Sequence, residues 1–111
     1  TNSIDTANIV REVNHDHIRM QLDVGAMIIN NEDPATLIKL VAPMIHHIHI
    51  SEPQLAPLDK DNQYHKKASM AIQSYLPEMP MTIEMLTTNS RSCLRQIRQS
   101  IEMVQKIYRG L

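Results

Sequence analysis

The chain has 111 residues, room for one domain with one core, and 42% of them are apolar, an ordinary share for a globular protein. Three Tyr and no Phe or Trp leave Ile, Leu, Val, Ala and eight Met to fill the interior. A formal net charge of −1 excludes a whole-chain field for nucleic acid or an anionic membrane, and no apolar run approaches the roughly 18 residues of a membrane span.

The first predicted element is a helix capped by Ser3, with Ala7, Ile9, Val10 and Val13 at helical spacing. Asn14 and His15 to His17 form a polar break. A strand is expected from Ile18 to Asp23, with Ile18, Met20 and Leu22 on one face and Arg19, Gln21 and Asp23 on the other. Gly25 and the polar Asn30 to Glu32 read as a loop. Asp33-Pro34 opens a second helix, a cap followed by proline at N1; Leu37, Ile38, Leu40 and Val41 supply its buried face and Pro43 ends it. The central strand lies in Ile45 to Pro53, IHHIHISEP, where Ile48 and Ile50 point one way and His47 and His49 the other. The polar segment from Glu52 to Asn62 leads to a helix from about Asp61 to Leu76, with Tyr64, Ala68, Ile72 and Tyr75 on one stripe. Pro77 and Pro80 bracket a turn before a third strand, Met81 to Met85. Asn89 or Ser90 caps the last helix, whose Leu94, Ile97, Ile101, Val104 and Tyr108 keep three-four spacing up to a C-cap glycine, Gly110.

This alternation predicts an α/β fold, about three parallel strands alternating with four helices through right-handed crossovers. A doubly wound sheet buries both faces of its strands, whereas these strands are apolar on one face only. A (β/α) barrel accommodates that pattern, because its inward face can turn polar near the top. A full barrel needs eight strands and about 250 residues, so residues 1–111 are expected to form a partial TIM barrel, as a single domain.

Three strand ends carry the chemistry. Asp23, His49 and Glu84 each close a predicted strand at its C-terminal end, where barrels of this kind place their active sites. Alone, an Asp there is more often a turn or cap residue, and a lone His more often a satisfied core residue. A strand-end Glu is harder to explain structurally, because Glu disfavours strands and is seldom buried unpaired. Together the three form an oxygen, nitrogen, oxygen donor set suited to a divalent metal (Mn²⁺, Co²⁺, Zn²⁺ or Mg²⁺), with open positions for substrate or water. His46 and His47 read as structural or supporting, with His46 on the helix side and His47 one layer below the proposed metal. Two glycines allow no phosphate-binding loop. Cys93 reads as packing within the last helix, Arg91, Arg95, Arg98, Lys106 and Arg109 as a solvated face, and the Met residues as core filler. A single Cys, with no signal-peptide pattern, points to a cytoplasmic setting, while the start at Thr1 suggests processing or truncation.

The stretches VREVNHDHIRMQLDVGAM, IHHIHISEP, the helix containing Tyr64-His65, and MPMTIEML with the final helix together resemble the xylose-isomerase-like barrel superfamily of sugar isomerases and epimerases. The resemblance spans nearly the whole chain but only about the last three and a half βα units of that barrel. Each stretch alone is weak, and their order and spacing are more specific. The resemblance implies a metal held by a Glu, an Asp, a His and a Glu after successive strands. Asp23, His49 and Glu84 match the last three, and the first Glu would lie before Thr1. It also implies proton transfer beside a carbonyl through an ene-diolate, with Glu84 as metal ligand and as one acid/base member. The ketose-epimerase branch has a His where this chain has Ala26, and a substrate-binding Arg with no counterpart between Glu52 and Asn62, which puts that subfunction in doubt.

The expectation is therefore a fragment of a metal-dependent sugar isomerase or epimerase, inactive alone and holding its metal weakly or not at all. Its partners would be a small carbohydrate substrate and further copies of itself, joined through open strand edges. The rivals are a metal-dependent lyase or dehydratase acting on a polyol, and a non-catalytic self-associating module.

Overall fold

The computed structural model describes residues 2–58, 60, 62–88 and 91–110. Among them are three strands and five α-helices, in the order α1 (Ser3–Val13), β1 (Met20–Asp23), α2 (Val24–Ile29), α3 (Pro34–Val41), β2 (Ile45–Ile50), α4 (Gln63–Tyr75), β3 (Met81–Ile83) and α5 (Cys93–Arg109). The strands form one parallel sheet in the order β1-β2-β3, the arc of a partial (β/α) barrel. No helix of the described residues is long and apolar enough to cross a membrane.

At four of the five α-helices among the described residues a side chain caps the start. Asn2, not Ser3, caps α1: its side chain accepts the Asp5 N–H at 2.9 Å, and the Asp5 carboxylate accepts the Asn2 N–H in return. Ser3 instead donates its N–H and hydroxyl to Glu32, at 2.8 and 2.7 Å, tying α1 to the turn before α3. Asp33 caps α3 through the Thr36 N–H, with Pro34 at the first helical position as predicted, and Asn62 caps α4 through the His65 N–H. Asp61, the expected start of α4, lies outside the described residues, as do Asn89 and Ser90, the expected caps of α5; α5 begins at Cys93 with Ser92 at its cap position instead. Gly110 ends α5 in the left-handed conformation, as its position predicted.

The main correction is α2. The stretch read as a loop at Gly25 folds into a helix that starts directly after β1. Glycine weakens helices in general, but here it is required by proximity: a Cβ on Gly25 would lie 2.6 Å from the Glu52 carbonyl oxygen and 2.8 Å from Ser51 Oγ. β1 is also shorter than expected, because Ile18 is exposed in a turn whose N–H donates to His15 O.

The core lies between one face of the sheet and the helices. Leu22, Ile48 and Ile50 pack with Met27 of α2, Ile38 and Val41 of α3, and Ala68 and Ile72 of α4. Four stripes depart from the sequence reading. Ile9, Val13 and Leu40 are exposed. On α4 the buried stripe runs through His65, Ala68 and Ile72, with Tyr75 exposed. On α5, Val104 and Tyr108 are buried, whereas Leu94, Ile97 and Ile101 are 78%, 42% and 42% exposed.

The other face of the sheet carries Gln21, Asp23, His47, His49 and Thr82. Parallel pairing sets Gln21 beside His47, Asp23 beside His49, and His49 beside Thr82. The Glu84 N–H donates to Ile50 O at 3.0 Å, carrying the β3 ladder one residue further. An irregularity between Met20 and Gln21 lets both Ile45 and Ile48 turn to the core and leaves His46 exposed rather than on the helix side.

Candidate metal centre

Asp23, His49 and Glu84 meet at the carboxyl ends of the three strands, each offering one ligand atom within 4.8 Å of the others. The strands do this by register: Asp23 and His49 are level, and Glu84 stands past the end of β3 on the same face. His49 Nδ1 lies 2.8 Å from Glu84 Oε2, with the two side chains 22% and 43% exposed. Gln21 Nε2 also approaches His49 Nδ1, at 3.0 Å. The Asp23 carboxylate is held by the start of α2, since Oδ1 accepts the Ala26 N–H at 2.8 Å and the Ser51 hydroxyl at 2.9 Å. Ser51 Oγ in turn accepts the Gly25 N–H at 2.9 Å.

This donor set fits a hard or borderline divalent cation. Two donors about 2.1 Å from an octahedral ion stand roughly 3 Å apart, close to the 2.8 Å between His49 Nδ1 and Glu84 Oε2. Oδ1 of Asp23 already accepts two donors, so Oδ2 would be the oxygen open to a cation. His47 is half-buried one layer below, its Nε2 3.0 Å from Thr82 Oγ1 and its ring edge-on to that of His49 at 5.1 Å. It supports the layer beneath the site, as the strand parity predicted.

Sequence reasoning missed a second histidine cluster. His65 is fully buried, with Nε2 2.7 Å from Glu52 Oε1 and Nδ1 2.6 Å from the Tyr108 hydroxyl. Asn62 Nδ2 donates to the same Glu52 oxygen at 2.9 Å. Burial pushes the Tyr108 hydroxyl well above its ordinary pKa, helped by the nearby Glu52 and Tyr64, so the phenol keeps its proton and donates to Nδ1. The Nε2 proton of His65 then goes to Glu52, which satisfies both ring nitrogens with one tautomer. Burial likewise raises Tyr64 to about 12, with Glu32 and Asp33 adding to the shift, and its hydroxyl donates to Glu32 O at 2.6 Å. The signal for His65 was in the sequence: positions 65, 68 and 72 share a helical face, and Asn62 caps that helix.

No family model matches the chain, and no curated protein matches it. Among solved structures it is similar to a crystal structure of D-psicose 3-epimerase determined in the presence of D-fructose, with a TM-score of 0.69 and 14% identity. The match covers 98% of this chain and 40% of that one, so the chain spans two-fifths of the length of the solved protein. At that identity the likeness shows a shared fold, that of part of a sugar epimerase, and the three donors sit on its carboxyl rim.

Proposed function

We propose that this chain carries part of the active centre of a metal-dependent sugar isomerase or epimerase, supplying the later strands of its barrel. Asp23, His49 and Glu84 would hold a divalent cation (Mn²⁺, Co²⁺, Zn²⁺ or Mg²⁺), and the substrate would be a small carbohydrate. The observation that carries the reading is the convergence of these donors on the carboxyl rim of a fold shared with a sugar epimerase.

The reaction is proton transfer beside a carbonyl. A divalent cation, when bound, supplies positive charge for the ene-diolate that such a transfer generates. Glu84 would move the proton, a role supported by its exposure on the open face, 43%, and by its Oε2 being the oxygen engaged with His49. Gln21 Nε2 can donate to His49 Nδ1 only in the tautomer that leaves that nitrogen unprotonated, the form in which it would also serve as a ligand. The acid/base partner of Glu84 is expected outside these 111 residues, so the chain alone is predicted to be inactive. Isolated chain and Mn²⁺ are to be assayed on a panel of ketoses; metal-dependent turnover by the chain alone would refute the half-site argument. Mn²⁺ titration of the wild type and of Asp23→Ala, His49→Ala and Glu84→Ala checks the ligand set, each substitution weakening binding at least tenfold.

A self-associating module is the second reading, favoured by the sheet edges. Among the described residues β1 and β3 each have a strand neighbour on one side only. Open parallel edges recruit strands, and a second copy would supply them. Light scattering that shows a monomer across concentration would count against it.

A further inference from the structure

We propose that Ser51 is a positioning residue that presents Asp23 to the cation through one oxygen, and so sets both the affinity of the site and its preference for small cations. The proposal rests on the metal reading above and extends it to a side chain outside the donor set.

Ser51 directly follows β2 and is fully buried. Its hydroxyl has one proton, which goes to Asp23 Oδ1 at 2.9 Å, and its oxygen accepts the Gly25 N–H at 2.9 Å. With the Ala26 N–H at 2.8 Å, Oδ1 carries two donors from two different segments of chain. Those bonds fix the rotation of the carboxylate and occupy Oδ1, so Oδ2 is the oxygen left to face His49 and Glu84. Gly25 makes the contact possible, because any side chain there would meet Ser51 Oγ and the Glu52 carbonyl inside contact distance.

The consequence is chemical as well as geometric. Large Ca²⁺ takes six to eight oxygens, often from carboxylates that bind through both atoms, whereas Mg²⁺-sized ions require about six donors in octahedral array. A carboxylate restricted to one oxygen favours the second class. Releasing Oδ1 should therefore weaken Mn²⁺ and narrow the preference over Ca²⁺, an effect that mere loss of packing would not produce.

The test is titration of free Mn²⁺ by electron paramagnetic resonance, with Ca²⁺ as competitor, on wild type, Ser51→Ala, Asp23→Asn and the double variant. Ser51→Ala is expected to weaken Mn²⁺ about tenfold, to reduce the Mn²⁺/Ca²⁺ ratio, and to add nothing once Asp23 is Asn. Ser51→Cys fills the same space with a weak donor and should shift both readings the same way, which covers a Ser51→Ala chain that fails to fold. Binding by Ser51→Ala or Ser51→Cys within twofold of wild type, or an equal loss in the Asp23→Asn background, overturns the proposal alone. A wild type that binds no Mn²⁺ at millimolar concentration overturns the metal reading and this proposal with it.

Discussion

Among the described residues stand two histidine–carboxylate pairs of nearly equal length in very different settings. His49 and Glu84 are 2.8 Å apart on an open rim, 22% and 43% exposed. His65 and Glu52 are 2.7 Å apart with the imidazole fully enclosed and the carboxylate 19% exposed. In the second pair both ring nitrogens are engaged, by Glu52 and Tyr108, and the cluster joins the loop after β2 to α4 and α5. In the first, three polar atoms crowd the rim with solvent beside them. The same two functional groups thus form a structural tie where water is excluded and, under the function proposed above, a ligand set where it is not. Distance alone does not separate the roles; burial and the remaining partners do.

The sharpest way to break this comparison is to delete each imidazole. His65→Ala leaves a buried phenol and a carboxylate without their partner, and is expected to cost about 3 kcal/mol or more in urea unfolding. His49→Ala should change stability by no more than about 1 kcal/mol, because its neighbours reach water, while Mn²⁺ binding falls at least tenfold. Reversed outcomes would exchange the two assignments. Tyr108→Phe is a smaller cut of the same tie: it leaves the ring in place and removes one hydrogen bond, costing about 1–2 kcal/mol without moving Mn²⁺ affinity.

The smallest effect lies away from both pairs. Thr36 holds the Asp33 carboxyl below its ordinary value through hydrogen bonds at the start of α3. A depressed folded pKa means its contribution is present above the unfolded value of 3.8 and is lost as pH falls through the folded one. Asp33→Asn keeps a capping acceptor but removes that titration. The two proteins should therefore differ slightly in stability at neutral pH and converge in acid, as read by thermal unfolding at a series of pH values.

Much of this was legible in the chain. The alternation of β2 placed Ile48 and Ile50 inward and His47 and His49 on the polar face, and Asp33-Pro34 and Gly110 marked helix ends through local backbone chemistry. Convergence of Asp23, His49 and Glu84 was legible because strand ends in parallel sheets share one rim. What failed depended on contacts distant in sequence. Gly25 read as a breaker because its requirement comes from Ser51 and Glu52, 26 and 27 positions on. Leu94, Ile97 and Ile101 read as buried because helical spacing identifies the face that seeks cover, not whether anything covers it. The stripe through Tyr64, Ala68 and Ile72 leaves out His65, because spacing of apolar residues does not register a polar ring that is buried with both nitrogens bonded.

β1 passes into α2 without an intervening residue, and Asp23 both ends the strand and caps the helix. This junction has no slack. One residue inserted between Asp23 and Ala26 would rotate α2 by about 100° against the strand, pulling Gly25 away from its niche and the aspartate out of aim. By contrast, the surface around Gln54 and Ala56, both exposed, could absorb an insertion. Efforts to graft new loops onto this rim therefore have freedom only past Ser51 and Glu52, near Gln54, and none after β1.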